Sequence, residues 1–142
     1  MPHNAIMLQV FGKMLDKEGL ELPPKVFIEM KGEFIEFIEN KSLTIRFHNQ
    51  EKYMNPFHFM QGGMITAAID NTVSPFGYSL AKPHLTKEII TQYKRPIRKS
   101  DKYITVKASL HEMQEDTMIL KAGVRNEENK LAAKAWVKCA FI

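Results

Sequence analysis

The stretch Asn55–Met64, followed by Asp70, has residue types and spacing that could act on a carbonyl group. Gly62 and Gly63 directly precede an apolar run, and two adjacent glycines leave backbone N–H groups unhindered at the positive end of a helix. Such amides can stabilise negative charge that develops on a carbonyl oxygen. Asp70 lies two turns further along, where burying a carboxylate is costly and requires a reason. Spacing alone leaves a second interpretation equally open, in which the glycines form a turn and Asp70 caps or pairs locally.

A buried helix must position these residues. From Met64 to about Leu80 the sequence is apolar on several sides and carries few charges, which predicts a helix inside the core. Pro75 falls within this segment and is expected to kink or end the helix nearby. An N-terminal helix is predicted over residues 4–15, where apolar residues recur at helical spacing, and Pro23-Pro24 break that pattern.

Strands are predicted on both sides of the buried helix, wherever apolar and polar residues alternate. Phe34–Ile38 and Leu43–Phe47 flank a polar turn, which predicts a hairpin. After the helix, short polar connectors predict antiparallel pairing and a sheet with one solvent-exposed face. The strands predicted there are 89–96, 104–110, 118–124 and 131–141. A long central helix wrapped by a curved antiparallel β-sheet is the α+β arrangement called the hotdog fold.

Composition excludes several classes of protein. Of the 142 residues, 44% are hydrophobic and 25% charged, which is typical of a soluble globular chain with one core. We therefore expect a single domain over residues 1–142, with 1–33 as an N-terminal helix and lead-in. One cysteine cannot form an intrachain disulfide, no apolar run approaches the ~20 residues of a membrane helix, and the N-terminus lacks a secretory pattern. The expected location is the cytoplasm, with no membrane partner.

The stretch around the glycines belongs to an ordered set of motifs. The set comprises Asn55, Gln61-Gly62-Gly63, Asp70, Thr86, residues 93–97 and Asp101. Over about residues 34–142 it resembles the PaaI-like hotdog acyl-coenzyme A thioesterases of the 4-hydroxybenzoyl-CoA thioesterase superfamily. The family pattern has an Asn, then His-Gly-Gly opening the central helix, then an acidic residue on that helix.

The resemblance implies hydrolysis of an acyl-coenzyme A thioester to a carboxylic acid and free coenzyme A. Asp70 is implied to be either nucleophile or general base. The Gly62 amide would polarise the carbonyl, Asn55 would help to hold the substrate, and Thr86 would orient water. No metal and no cofactor are implied, because coenzyme A belongs to the substrate. A homodimer with active sites at its interface is implied, usually paired into a homotetramer, so that Asp70 faces Asn55 and Gly62 of the neighbouring subunit.

Two positions depart from the family pattern. Gln61 stands where the family has a histidine, and a glutamine can donate a hydrogen bond but cannot carry a proton. We expect Gln61 to have a positional role, because Asp70 and the Gly62 amide already supply the reactive groups. Ser100 replaces the glycine before Asp101, which changes only a turn.

The densest basic cluster contains Lys94, Arg95, Arg98, Lys99 and Lys102. The first four are expected at the mouth of the site, where they would reach the phosphates of coenzyme A. A solvated surface is the alternative interpretation. The net charge of +4 is modest, and the basic residues do not alternate with exposed aromatics, so no nucleic-acid partner is expected.

Other candidates for chemistry are weaker. The five histidines lack metal-ligand spacing, so no zinc is expected. Cys139 alternates with the apolar face of a strand and is expected in the core rather than as a nucleophile. Ser74 and Ser79 lack the sequence setting of a nucleophilic serine.

Two other functions remain open. A non-catalytic acyl-coenzyme A binding or sensing protein on the same fold is favoured by Gln61, whereas Asp70 and Thr86 count against it. A hydratase or dehydratase of this fold would need a catalytic histidine near the acidic residue, and Gln61 argues against that.

Overall fold

The computed structural model describes residues 2–12, 14, 19–80 and 83–142, and side chains from residue 5 onward. Within these ranges the helices are α1 (Pro2–Phe11), α2 (Lys25–Glu29) and α3 (Gly62–Leu80). The strands are β1 (Gly32–Ile38), β2 (Ser42–His48), β3 (His84–Tyr93), β4 (Tyr103–Met113), β5 (Thr117–Arg125) and β6 (Leu131–Phe141). A short 3-10 turn, Glu51–Tyr53, precedes the loop that leads into α3.

The six strands form one antiparallel sheet in the order β1-β2-β4-β5-β6-β3. The predicted hairpin and the three C-terminal strands are therefore confirmed. Strand β3 differs from its prediction, because it begins at His84 and ends at Tyr93, before Pro96. The amides of Lys94 and Arg95 both donate to the carbonyl of Ala132, which turns the chain out of the ladder ahead of the proline.

The core lies between α3 and the inner face of the sheet. One face of α3 is buried, including Ile65, Ile69 and Phe76. It packs against apolar residues that alternate along the strands with solvent-facing polar ones, as the period of two predicts. On the central strands these core residues are Leu43, Ile45, Phe47, Ile104, Val106, Leu120 and Val124, all without solvent exposure.

Helix α3 continues through Pro75 to Leu80, so its predicted extent to about Leu80 is confirmed, and of the two effects expected of this proline the helix end does not occur. A proline removes one hydrogen bond, to the carbonyl four residues earlier. Pro75 and Phe76 are both buried, and packing of this segment offsets the lost bond.

The N-terminal helix also differs from its prediction over 4–15. It begins at Pro2 and ends at Phe11, next to Gly12, a residue type that disfavours helix. Its predicted end at residue 15 lies outside the described residues. No helix in the described ranges combines the length and apolar character needed to cross a membrane.

Gly77 allows α3 to approach β3 and β5 closely, which leads to a stability prediction. A Cβ at Gly77 would lie 2.5 Å from Cε1 of the buried His84 and 2.6 Å from Cε of the buried Met118. In an exposed helix alanine is favoured over glycine by about 1 kcal/mol, but overpacking costs about 1–3 kcal/mol. Taken together, these effects predict that Gly77→Ala lowers the free energy of unfolding by up to about 2 kcal/mol in urea titration.

The matched control is Gly63→Ala in the first turn of α3, where a Cβ would meet nothing within 4 Å. It should lose no stability. A Gly77→Ala protein as stable as the parent would show that the side chains of His84 and Met118 can move aside at no energetic cost, which would contradict the expected close packing.

Candidate active site

The loop before α3 leaves two backbone amides free at the start of the helix. The carbonyl of Gln61 accepts from the amides of Met64 (2.9 Å) and Ile65 (3.2 Å), and its own amide donates to Tyr53 O (2.8 Å). The amides of Gly62 and Gly63 have no acceptor in the described part of the chain. The Gln61 side chain is exposed and makes no hydrogen bond to a described residue. The backbone of Gln61 therefore fixes the helix start and presents two N–H donors at its positive end.

A polar stripe runs along the face of α3 that lies beside β3. It contains Thr66, Asp70 and Ser74, which are spaced four residues apart and so share one helix face. Thr86 Oγ1 on β3 donates to Asp70 Oδ1 at 2.9 Å, and Ser74 Oγ lies 3.5 Å from the same oxygen. Asp70 Oδ2 has no hydrogen-bond partner among the described residues. The carboxylate is thus held by one oxygen and open at the other.

The half-buried Asp70 also affects the acidity of two neighbouring groups. Burial raises the pKa of the Tyr78 hydroxyl, and the Asp70 carboxylate acts in the same direction. Burial raises the pKa of the Cys139 thiol to about 11, again with a contribution from Asp70. Cys139 is fully buried, so its predicted place in the core is confirmed. A thiol with this pKa stays protonated at neutral pH, which disfavours a nucleophilic role.

Asn55 organises the loop that precedes the helix. Its Oδ1 accepts from the amides of Phe57 (2.9 Å) and Phe59 (3.1 Å), and its backbone amide donates to Phe59 O (2.7 Å). Because both partners of the side chain are donors, the oxygen must face them, and Nδ2 points away. Nδ2 bonds to no described residue, so it remains available to a ligand.

A cleft of about 340 Å³ brings several predicted site residues together at the start of α3. We call it the Gly62 cleft. It has an apolar part formed by Met60 and Ile65 and a polar rim. The predicted site residues in its lining are Asn55, Gly62, Lys94 and Arg95.

Asp70 does not line the Gly62 cleft. It borders a separate cavity of about 160 Å³ with Phe11, Phe27 and Tyr78. Asp70 lies eight positions after Gly62 on the same helix, which corresponds to about 12 Å along its axis. One thioester carbonyl therefore cannot touch both groups of a single chain.

The residues of the basic cluster do not all lie at the same place: some line the Gly62 cleft and others do not. Lys94 and Arg95 line the Gly62 cleft, and Arg95 Nη1 donates to the carbonyl of Leu131 at 3.0 Å. Lys99 Nζ instead bonds to Glu51 Oε1 at 3.3 Å, outside the lining of the cleft.

The turn that carries the exposed Arg98 is fixed by the buried carboxylate of Asp101. This carboxylate accepts from the amides of Arg98 (3.0 Å) and Glu127 (3.2 Å). Arg98 also lies outside the cleft lining. The Ser100-Asp101 segment thus has a local, turn-forming role.

Sequence reasoning missed the hydroxyl groups beside the helix. Thr66 and Ser74 lie four residues on either side of Asp70, and this spacing was the available signal. Thr91 gives no signal by itself, and Tyr93 is noticed only as part of the motif at residues 93–97, since the hydrogen-bond partners of both lie on another element. Among the described residues, no group of three His, Cys, Asp or Glu side chains is arranged to hold a metal ion.

No family model matches the chain, and no curated protein matches its sequence. Solved structures do match its fold. A thioesterase from Haemophilus influenzae has a TM-score of 0.76 at 21% identity, covering 82% of each chain. The PaaI protein of the E. coli phenylacetic acid degradation operon has a TM-score of 0.78 at 15% identity, covering 84% of this chain and 86% of its own. A Streptococcus mutans protein bound to acetyl-CoA has a TM-score of 0.75 at 15% identity, covering 89% of this chain and 96% of its own. These matches show that the chain has the hotdog fold.

Proposed function

We propose that this hotdog chain hydrolyses an acyl-coenzyme A thioester to a carboxylic acid and free coenzyme A. The observation that carries the proposal is the carboxylate of Asp70, bonded to Thr86 through one oxygen only, on a helix whose first two amides are free. The structural neighbours support it, because one is named a thioesterase and another is bound to acetyl-CoA. The reaction needs no metal or cofactor, since coenzyme A is part of the substrate.

The proposed chemistry divides between the first turn of α3 and the carboxylate of Asp70. The Gly62 amide donates to the thioester oxygen and stabilises the negative charge formed when the carbonyl carbon is attacked. The open Oδ2 of Asp70 either attacks that carbon, giving an anhydride that water then hydrolyses, or takes a proton from the attacking water. In both routes the carbon–sulfur bond breaks and the departing sulfur of coenzyme A takes up a proton. Thr86 holds Oδ1 and so orients the carboxylate.

Two copies of the chain are needed for this site, because about 12 Å separates Gly62 from Asp70 within one copy. Strand β3 is an edge of the sheet, and its Leu85 and Ile90 are 60% and 51% exposed. Such an edge favours pairing with another strand. The proposed unit is a homodimer joined along β3, in which Asp70 of one copy faces Gly62 and Asn55 of the other. Further pairing into a homotetramer is also proposed.

Gln61 acts through its backbone in this proposal. Its carbonyl and amide fix the start of α3, whereas its exposed side chain contacts no described hydrogen-bond partner. The same observation favours the second candidate, an acyl-coenzyme A binding protein, because the side chain supplies no proton-transfer group.

Release of free thiol from a panel of short, long and aromatic acyl-coenzyme A esters separates the two functions. We expect turnover well above the rate without protein for at least one ester. Binding of the esters without thiol release, measured by calorimetry, would identify a binding protein. Absence of both would contradict both functions.

The Gly62 cleft yields a prediction about coenzyme A recognition. Lys94→Ala should raise KM for coenzyme A esters about 3- to 10-fold, since one exposed charge-assisted contact to phosphate contributes on the order of 1 kcal/mol. KM for the corresponding N-acetylcysteamine thioesters, which lack the nucleotide, should not change. The two KM ratios are obtained from steady-state thiol release.

Lys99→Ala is the matched control, because Lys99 bonds to Glu51 outside the cleft lining. Neither KM should change in that variant. An equal rise for both thioester types in Lys94→Ala would show that Lys94 belongs to a solvated surface.

A further inference from the structure

Tyr93 connects the end of β3 to the first turn of α3. Its Oη donates to the carbonyl oxygen of Gly62 at 2.8 Å. Its ring lies directly against Gly62, where an added Cβ would be 3.1 Å from Tyr93 Cζ. A glycine at position 62 thus lets the ring lie against the backbone. Tyr93 also borders the Gly62 cleft and is 51% exposed.

The direction of the hydrogen bonds around Tyr93 follows from proton counting. A carbonyl can only accept, so the single phenolic proton of Tyr93 goes to Gly62 O. Thr66 Oγ1, 2.6 Å from Tyr93 Oη, must then donate to the phenolic oxygen. Its proton being used, Thr66 Oγ1 accepts from Thr91 Oγ1 at 3.1 Å. Three hydroxyl groups therefore form a directed chain that ends on the Gly62 carbonyl.

The carbonyl of Gly62 and the N–H of Gly63 belong to the same peptide group. Electron density is shared across that group, so a hydrogen bond donated to its oxygen makes its N–H more polar. A chain of hydroxyls pointing the same way strengthens the effect. The N–H that becomes more polar is that of Gly63, which has no acceptor among the described residues.

We propose that Tyr93 is a positioning residue that sets the angle of the first turn of α3 and polarises the Gly62–Gly63 peptide through its hydroxyl. This inference rests on the proposed function, and it adds the Gly63 amide to the Gly62 amide as a second donor to the thioester oxygen. Tyr93 acts through the backbone and takes no proton from the substrate. Its contribution appears when negative charge develops on that oxygen, in kcat rather than in KM.

Tyr93→Phe tests the inference, because it keeps the ring against Gly62 and removes the hydroxyl. We expect kcat to fall on the order of 10-fold, less than the ~10²–10³ lost when an oxyanion donor itself is removed. KM should stay within about twofold of the parent value. In the ¹H–¹⁵N spectrum, the amide proton of Gly63 should move upfield as its peptide loses polarisation.

Tyr103→Phe is the matched control. Tyr103 lies on the outer face of the sheet, with the Arg46 guanidinium 4.0 Å from its ring centroid, and its hydroxyl bonds to no described residue. That variant should change neither kcat nor the Gly63 signal. An unchanged kcat and Gly63 signal in Tyr93→Phe would overturn the inference, and so would a rise in KM with kcat intact.

Failure of the proposed function gives a different result. If the parent protein releases no thiol from any ester in the panel, the thioesterase assignment is wrong. The Gly63 amide signal in Tyr93→Phe then decides by itself whether the tyrosine polarises this peptide.

Discussion

Asp70→Asn should lower kcat by a factor on the order of 10² or more while substrate binding survives. An asparagine keeps the shape of the side chain, and its oxygen can still accept the hydrogen bond that Thr86 donates at 2.9 Å. It removes the anionic oxygen, so neither attack on carbon nor uptake of a proton from water remains possible. Both routes open to Asp70 predict the same loss. Steady-state thiol release measures kcat, and calorimetry with a non-hydrolysable thioether analogue measures binding.

The control for this prediction makes the same chemical change at Asp116, an exposed residue in the β4–β5 turn. Asp116→Asn should leave kcat and the elution volume on size-exclusion chromatography unchanged. An Asp70→Asn protein with near-parental kcat, in a preparation free of host thioesterases, would refute the assignment of Asp70 as the reactive carboxylate.

Charging the free edge of β3 should abolish both assembly and turnover. The double variant Leu85→Lys with Ile90→Lys places two like charges on each copy, at side chains that are 60% and 51% exposed in the single chain. The fold of one chain should persist, because neither residue belongs to the core. Repulsion between the edges should give monomers. We expect kcat/KM to fall on the order of 10² or more, since one copy cannot bring Asp70 and Gly62 to the same carbonyl.

The opposite edge of the sheet supplies the matched control. Ile35→Lys with Ile38→Lys changes β1, where the two side chains are 40% and 41% exposed. That variant should retain the dimer and its activity. Analytical ultracentrifugation measures the oligomeric state of both variants, and thiol release measures their kcat/KM. A charged β3 protein that stays dimeric, or a monomer with full activity, would contradict the interface proposed along β3.

The parts of the fold that the sequence predicts are those whose two faces differ in solvent exposure. Strands β4, β5 and β6 bury alternate residues, so their period of two is visible in the residue types. Strand β3 has no such contrast, because most of its side chains are exposed and a register shift occurs between Thr86 and Glu88. Its first residues therefore gave no strand signal. The apolar run predicts that α3 extends to about Leu80, whereas the local rule for proline by itself does not include burial of Pro75 against other elements.

Some residues of the candidate site can likewise be recognised in the sequence, and others cannot. Asp70 and the two glycines stand out locally, because a carboxylate in an apolar run and a glycine pair before it are unusual by themselves. The hydroxyl chain from Thr91 to Tyr93 does not stand out, since each bond joins residues 25 to 31 positions apart. Lys99 and Lys94 are equivalent in sequence, and the structure separates them, because Lys94 lines the Gly62 cleft whereas Lys99 bonds to Glu51.

The covered position of Cys139 affects how this protein can be handled at the bench. It is the only cysteine of the chain, and burial holds its pKa at about 11. Chromogenic disulfide reagents react with accessible thiolates. The folded chain should therefore contribute no background absorbance when such a reagent quantifies liberated coenzyme A. An unfolded chain exposes one reactive sulfur per molecule. The same colour reaction, run without substrate, therefore reports the fraction of a sample that has lost its native packing.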